Sequence, residues 1–137
     1  MKYELALRSV AAYQIALAII NLAIVPLLGW RGEMEKMPLL MRQVFHVHKF
    51  FLSFALVIFA VMTWRFAPEM AVGSAICAWL AAGIGLFWAT RVVLQVTYYS
   101  ASHWRERPLR TAIHIVILLT YGAMALIYLL AAKGGAR

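Results

Sequence analysis

The sequence predicts an all-α membrane protein with four transmembrane helices in an up-and-down bundle. Hydrophobic residues make up 65% of its 137 residues, and charged residues only 13%. A soluble domain has only about half apolar residues, so a chain this small cannot bury so much apolar surface in water. Four apolar runs are each long enough to cross a bilayer, which takes about 20 helical residues. We expect these spans at about 9–28, 44–66, 70–99 and 109–132, within a single integral-membrane domain.

The first span follows a short charged tail, residues 1–8, and ends near Pro26 and Gly29. Its apolar run is longer than the core of about 7–15 residues that a signal peptide has, and no A-x-A-like cleavage site follows it. We therefore expect a retained span. Gln14 and Asn21 are spaced to share one helical face, and we expect both to point into the bundle. The loop 30–43 contains several methionines and leucines, which indicates an interfacial segment.

The second span opens with the histidine-rich stretch 45–49 and closes with Trp64-Arg65, which are typical interface anchors. The short connection 67–69 predicts that the second and third spans are antiparallel neighbours. Small residues between 73 and 85 favour close helix contact by the third span. Its later half carries a polar stripe, which lipid cannot satisfy and which must face protein, water or a ligand. The stripe residues recur at steps of three or four: Trp88, Arg91, Gln95, Tyr98 and Ser102.

The fourth span follows Pro108, and one of its faces carries Thr111, His114, Tyr121 and Tyr128. Four spans place both termini on one side of the membrane and the two longer loops on the other. The loop side carries more Lys and Arg, so the positive-inside rule predicts cytoplasmic loops and external termini. We expect the protein to lie in the inner (plasma) membrane of a bacterium.

Composition excludes several classes of function. The chain has no Asp, and none of its five Glu residues falls in the middle of an apolar run. Chemistry that needs paired carboxylates, or proton-coupled antiport through an intramembrane carboxylate, therefore lacks its residues. The net charge of +8 lies on cations that flank apolar segments, which predicts anionic lipid headgroups rather than nucleic acid as partners. The lone Cys77 excludes an intrachain disulfide and a thiolate-bound cluster.

In the predicted topology all four histidines lie on the loop side of the membrane, at the same depth as the polar stripe of the third span. We expect them to line a site at this membrane face. A b-type haem is one interpretation, with His46 or His48 paired to His114 and with Arg91 or Arg110 near a propionate. A metal site that uses His48, His114 and His103 is a second. A quinone or lipid-headgroup pocket is a third, lined by these same side chains and by Gln95 and Tyr98.

The alternative is a purely structural accessory subunit without a cofactor, because interfacial His, Tyr and Arg are also what any span presents to headgroups. In either case we expect a subunit of a larger membrane complex or a homo-oligomer, in contact with membrane lipids. The missing carboxylates and the clustered histidines favour haem- or quinone-linked electron transfer over transport.

Overall fold

The computed structural model describes residues 2–98 and 108–134, and every regular element in these ranges is an α-helix. Four helices are long and apolar enough to cross a membrane: α1, α4, α6 and most of α7. This confirms the prediction of an all-α membrane protein with four candidate spans. The helices are α1 (Lys2–Leu22), α2 (Ile24–Leu27), α3 (Arg31–Lys36), α4 (Leu39–Arg65), α5 (Ala67–Val72), α6 (Ala75–Thr97) and α7 (Pro108–Gly134).

The first of two compact units, Arg8–Arg65, contains most of α1 together with α2, α3 and α4. Its two long helices run antiparallel, because Asn21 near the end of α1 bonds to Ser53 in the middle of α4, whereas Arg8 meets Trp64 at the end of α4. The Arg8 guanidinium carbon lies 5.2 Å from the centre of the Trp64 ring, which is a cation–π contact. The unit is therefore a helical hairpin with a contact at each end.

Both long helices of this hairpin extend beyond the apolar runs that predicted them. Helix α1 begins at Lys2, inside the expected charged tail, and buries Leu7. Helix α4 begins at Leu39, directly after Pro38, rather than near residue 44. The added residues are mostly good helix formers such as Lys, Glu, Leu, Met and Arg. Hydropathy marks the membrane-embedded part of a helix and does not mark the turn at which the helix begins.

The turn of the first hairpin is itself partly helical. Gly29 adopts a positive φ of 67°, which only glycine reaches without strain, and the chain leaves α2 there. Helix α3 follows, and it buries Met34 while its charged side chains stay exposed. This one-sided burial fits the interfacial segment that the sequence predicts.

The second unit comprises Met1–Leu7 and Phe66–Arg137 and contains α5, α6 and α7. The helix is interrupted between α5 and α6, whereas the sequence predicts one continuous span over residues 70–99. Gly73 has a φ of 83°, and the amides of Gly73 and Ser74 both donate to the carbonyl of Glu69. Such a left-handed glycine ends a helix because it directs the following amides back to the last carbonyls. Helix α6 then starts afresh at Ala75.

Helices α6 and α7 pack against each other in antiparallel directions. Gln95, Trp88 and Gly85 of α6 meet His114, Tyr121 and Tyr128 of α7, in this order along the pair. The approach is closest at Gly85, where a β-carbon would lie 3.0 Å from Leu129 Cγ and 3.1 Å from Tyr128 Cβ. Small residues permit such an approach between membrane helices, so Gly85 sets the spacing of this pair. We call the contact surface between the two helices the α6–α7 seam.

Candidate functional site

The polar centre of the α6–α7 seam is a hydrogen bond between Gln95 and His114. The Gln95 amide nitrogen lies 2.9 Å from His114 Nδ1. An amide NH₂ only donates, so Nδ1 accepts, and the proton of the neutral imidazole lies on Nε2. Gln95 is 6% exposed and His114 is half-buried. Two polar side chains on apolar helices thus satisfy each other across the seam.

Trp88 lies two helical turns from Gln95 on the same side of α6. Its ring centre is 4.9 Å from that of Tyr121 at an interplanar angle of 46°, and 5.4 Å from that of Phe87 in an edge-on arrangement. The side chain is only 2% exposed. Its indole Nε1 is buried and has no hydrogen-bond partner among the described residues. A buried donor without an acceptor costs about 1–3 kcal/mol, so this N–H lies where an acceptor would be bound favourably.

Arg91 and Tyr98 share the predicted stripe but lie differently in the structure. Arg91 is half-buried and makes no hydrogen bond or ion pair with any residue in the ranges 2–98 and 108–134. Tyr98 is 80% exposed and is therefore not packed in the seam. Trp88, Gln95 and His114 therefore lie within the α6–α7 seam, and the half-buried Arg91 lies at its edge.

The remaining histidines of the predicted site belong to the first unit or lie outside the described residues. His46 and His48 belong to the first unit and are both exposed on α4. His48 Nδ1 donates to the carbonyl of Val44 at 3.1 Å, and the His46 ring stands edge-on to Phe45 at 6.0 Å. His103 lies outside the described residues. The described part of the chain brings no three His, Cys, Asp or Glu side chains together, so the haem and metal interpretations stay predictions.

The first hairpin has a polar cluster of its own, which sequence reasoning found only in part. Asn21 was expected to point into the bundle, and its amide donates to the Lys49 carbonyl at 2.9 Å and to Ser53 Oγ at 2.8 Å. Ser53 in turn donates to the Ala18 carbonyl at 3.1 Å, and Lys49 Nζ donates to the Leu22 carbonyl at 3.0 Å. The available signal was the four-residue spacing of Lys49 and Ser53 on α4, which places them on one face.

Gln14, the other polar residue expected to point inward from α1, is completely buried. The fold and these polar seams define a multi-pass membrane protein whose helix pairs are joined by hydrogen bonds near their turns. No protein family, curated protein or solved structure matches this chain.

Proposed function

We propose that the protein binds the headgroup of a membrane-soluble quinone at the α6–α7 seam. The observation that carries the proposal is the buried indole N–H of Trp88, which no acceptor among the described residues satisfies. A buried hydrogen-bond donor in an apolar surrounding favours a ligand that brings an acceptor. The carbonyl oxygens of a quinone are acceptors of this kind.

The groups along the seam are donors more than acceptors. The guanidinium of Arg91 and the indole of Trp88 can only donate, and the Gln95 amide nitrogen has a second N–H besides the one that bonds to His114. No carboxylate belongs to this set. A ligand that presents oxygen acceptors and no donor would therefore complement these side chains, which describes an oxidised quinone ring.

Depth distinguishes a quinone from a phospholipid headgroup here. Trp88 lies about 10 Å below Gln95 along α6, at a rise of about 1.5 Å per residue. At that depth, loss of hydration costs a charged phosphate much more free energy than it costs a neutral quinone ring. Tyr121, which is half-buried beside Trp88, offers an aromatic ring to a quinone, and the exposed apolar sides of both helices would accompany an isoprenoid tail.

Such a site would serve quinone-linked electron transfer in an energy-converting membrane, such as the bacterial inner membrane. The electron donor in this proposal belongs to a partner subunit of a larger complex. The role of the present chain is to hold the quinone ring at a defined depth and orientation.

The test is quinone binding by the purified protein in lipid nanodiscs. We expect endogenous quinone in its organic extract and saturable binding of decylubiquinone by calorimetry. Trp88→Phe keeps the ring but removes the N–H and should weaken binding about tenfold. Trp79→Phe is the matched control, because Trp79 is an exposed tryptophan of the same helix.

The proposal fails if the wild-type protein shows no saturable quinone binding, or if the two tryptophan variants bind equally. A Soret and alpha band in the dithionite-reduced protein would instead favour the haem interpretation. Calorimetry is preferred to fluorescence quenching because the chain has five tryptophans, and each substitution would change the signal itself.

A further inference from the structure

A cavity opens at the other end of the second unit, where α7 ends. Its volume is about 350 Å³, near the lower limit of small-molecule sites at about 300 Å³. Residues from α1, α5 and α7 contribute to its walls. The lining consists of Tyr3, Ala71, Leu130, Ala131, Lys133 and Gly134.

The position of Lys133 gives the depth of this cavity in a membrane. Lys133 lies in the last turn of α7, and His114 lies in its second turn. Along the helix axis the two are about 28 Å apart, at a rise of about 1.5 Å per residue. This is close to the hydrocarbon thickness of about 30 Å. The cavity therefore lies at headgroup level, at the membrane face opposite to the Gln95–His114 bond.

The walls of the cavity are chemically divided. The Lys133 ammonium and the Tyr3 hydroxyl supply hydrogen-bond donors, and none of the described residues that line the cavity carries a carboxylate. Leu130, Ala131 and Ala71 supply an apolar side. Lys133 is exposed, so its ammonium is accessible from the aqueous side. One cation beside a hydroxyl and an apolar wall complements an amphipathic anion at an interface.

We propose that this cavity binds the phosphodiester of a glycerophospholipid headgroup. The phosphate oxygens accept from Lys133 Nζ and the Tyr3 hydroxyl, and the first methylenes of the acyl chains lie against Leu130 and Ala71. The proposal is independent of quinone binding, because the two sites share no residue: Trp88 meets Tyr121 in the middle of α7, whereas the cavity lies at the end of α7. A lipid bound here joins α5 to the end of α7.

The test is lipid binding to delipidated protein in maltoside detergent, followed by native mass spectrometry with dioleoyl phosphatidylglycerol. Lys133→Ala should weaken binding by about tenfold or more, because it removes a charged hydrogen bond. Tyr3→Phe should weaken it about three- to fivefold, and Lys133→Arg should retain it. Lys36→Ala is the matched control, since Lys36 is an exposed lysine already paired with Glu33 at 2.8 Å.

Three results would overturn the proposal. The first is an equal loss of binding in Lys133→Ala and Lys36→Ala. The second is full displacement of the lipid by millimolar inorganic phosphate, which would assign the site to free phosphate. The third is equally tight binding of dioleoylglycerol, which would show that the acyl chains alone are recognised. Lys133→Arg and Tyr3→Phe nearly conserve the size of the side chain. They therefore distinguish a loss of lipid binding from a defect in folding.

Discussion

Gln95 donates a hydrogen bond of 2.9 Å to His114 and so joins the end of α6 to the beginning of α7. Gln95 is buried and His114 is half-buried, so water competes little for the bond. The bond is directional, so it favours one register of the two helices over neighbouring registers. The close contact at Gly85 acts on the same register from the other half of the seam.

The Gln95–His114 bond should show energetic coupling. We expect Gln95→Leu and His114→Leu each to destabilise the protein by about 1 kcal/mol, because each leaves the other side chain without its bond across the seam. The double variant should lose less than the sum, with a coupling energy of about 0.5–1.5 kcal/mol. Reversible unfolding of the four proteins of this cycle in mixed micelles measures it.

His46→Leu is the control for loss of an imidazole, because His46 is an exposed histidine on α4. It should change stability by less than about 0.5 kcal/mol. Strict additivity of Gln95→Leu and His114→Leu would contradict the prediction.

The glycines of α6 should respond in opposite ways to alanine. In Gly85→Ala the new β-carbon would lie 3.0 Å from Leu129 and 3.1 Å from Tyr128 Cβ, so the helices must separate. We expect a loss of about 1–3 kcal/mol. In Gly83→Ala nothing lies within 4 Å of the added methyl group, and the gain in helix propensity should stabilise the protein by up to about 1 kcal/mol.

Thermal unfolding of both glycine variants in one detergent gives the comparison. Equal stability of Gly83→Ala and Gly85→Ala would show that α6 and α7 do not approach closely at Gly85.

The hydrogen bonds of the first hairpin should make Asn21 more important than Ser53. Asn21→Leu removes the bonds to the Lys49 carbonyl and to Ser53 and should cost about 1–2 kcal/mol. Ser53→Ala removes the bond from Asn21 and the longer bond of 3.1 Å to the Ala18 carbonyl, but it keeps the Asn21–Lys49 bond of 2.9 Å, so it should cost about 0.5–1 kcal/mol. Thr120→Val is the control, because its hydroxyl bonds only carbonyls of its own helix, that of Val116 at 2.9 Å among them.

Denaturant unfolding of these three variants should rank them Asn21→Leu, Ser53→Ala and Thr120→Val, from most to least destabilised. The reverse order for Asn21 and Ser53 would mean that the Ser53–Ala18 bond, at 3.1 Å, is the main tie between α1 and α4.

The charge distribution predicts cytoplasmic loops and external termini. In a Cys77→Ala background, we expect Lys2→Cys to react with a membrane-impermeant maleimide in intact cells and Glu33→Cys to react only after lysis. Both parent side chains are exposed, so accessibility within the fold does not limit labelling. Labelling of Glu33→Cys alone in intact cells would invert the orientation, and equal behaviour of the two variants would show that α1, the one candidate span between these positions, does not cross the membrane.

The four apolar runs were sufficient to predict the four long helices, because hydropathy depends on composition over about 20 residues. The heptad spacing of His114, Tyr121 and Tyr128 also placed these residues on one face of α7, and in the structure this face meets α6. Periodicity gives the angle of a side chain about its helix. It does not give the width of the contact, so Gln95 and Tyr98 share a predicted stripe although one is buried and the other exposed.

The residue pairs that meet across two packed helices were not predictable in the same way. Which residue of α7 meets Gln95 depends on the register of two helices, and a close contact such as that at Gly85 sets it through packing rather than pattern. The break at Gly73 was missed because small residues before and after it resemble a continuous packing face, whereas the backbone there has a φ of 83°. A lone glycine in an apolar run does not reveal its φ.

In each hairpin, a side-chain hydrogen bond between the helices involves a residue near the turn: Asn21 at the end of α1 with Ser53, and Gln95 near the end of α6 with His114. Bonds near a turn close short loops, and the entropy lost on closure grows with loop length. The Gln95–His114 bond joins residues 19 apart, so closing its loop costs less entropy than closing the loop between Asn21 and Ser53, which are 32 apart. Pairing of α6 with α7 is therefore least costly to begin at this bond.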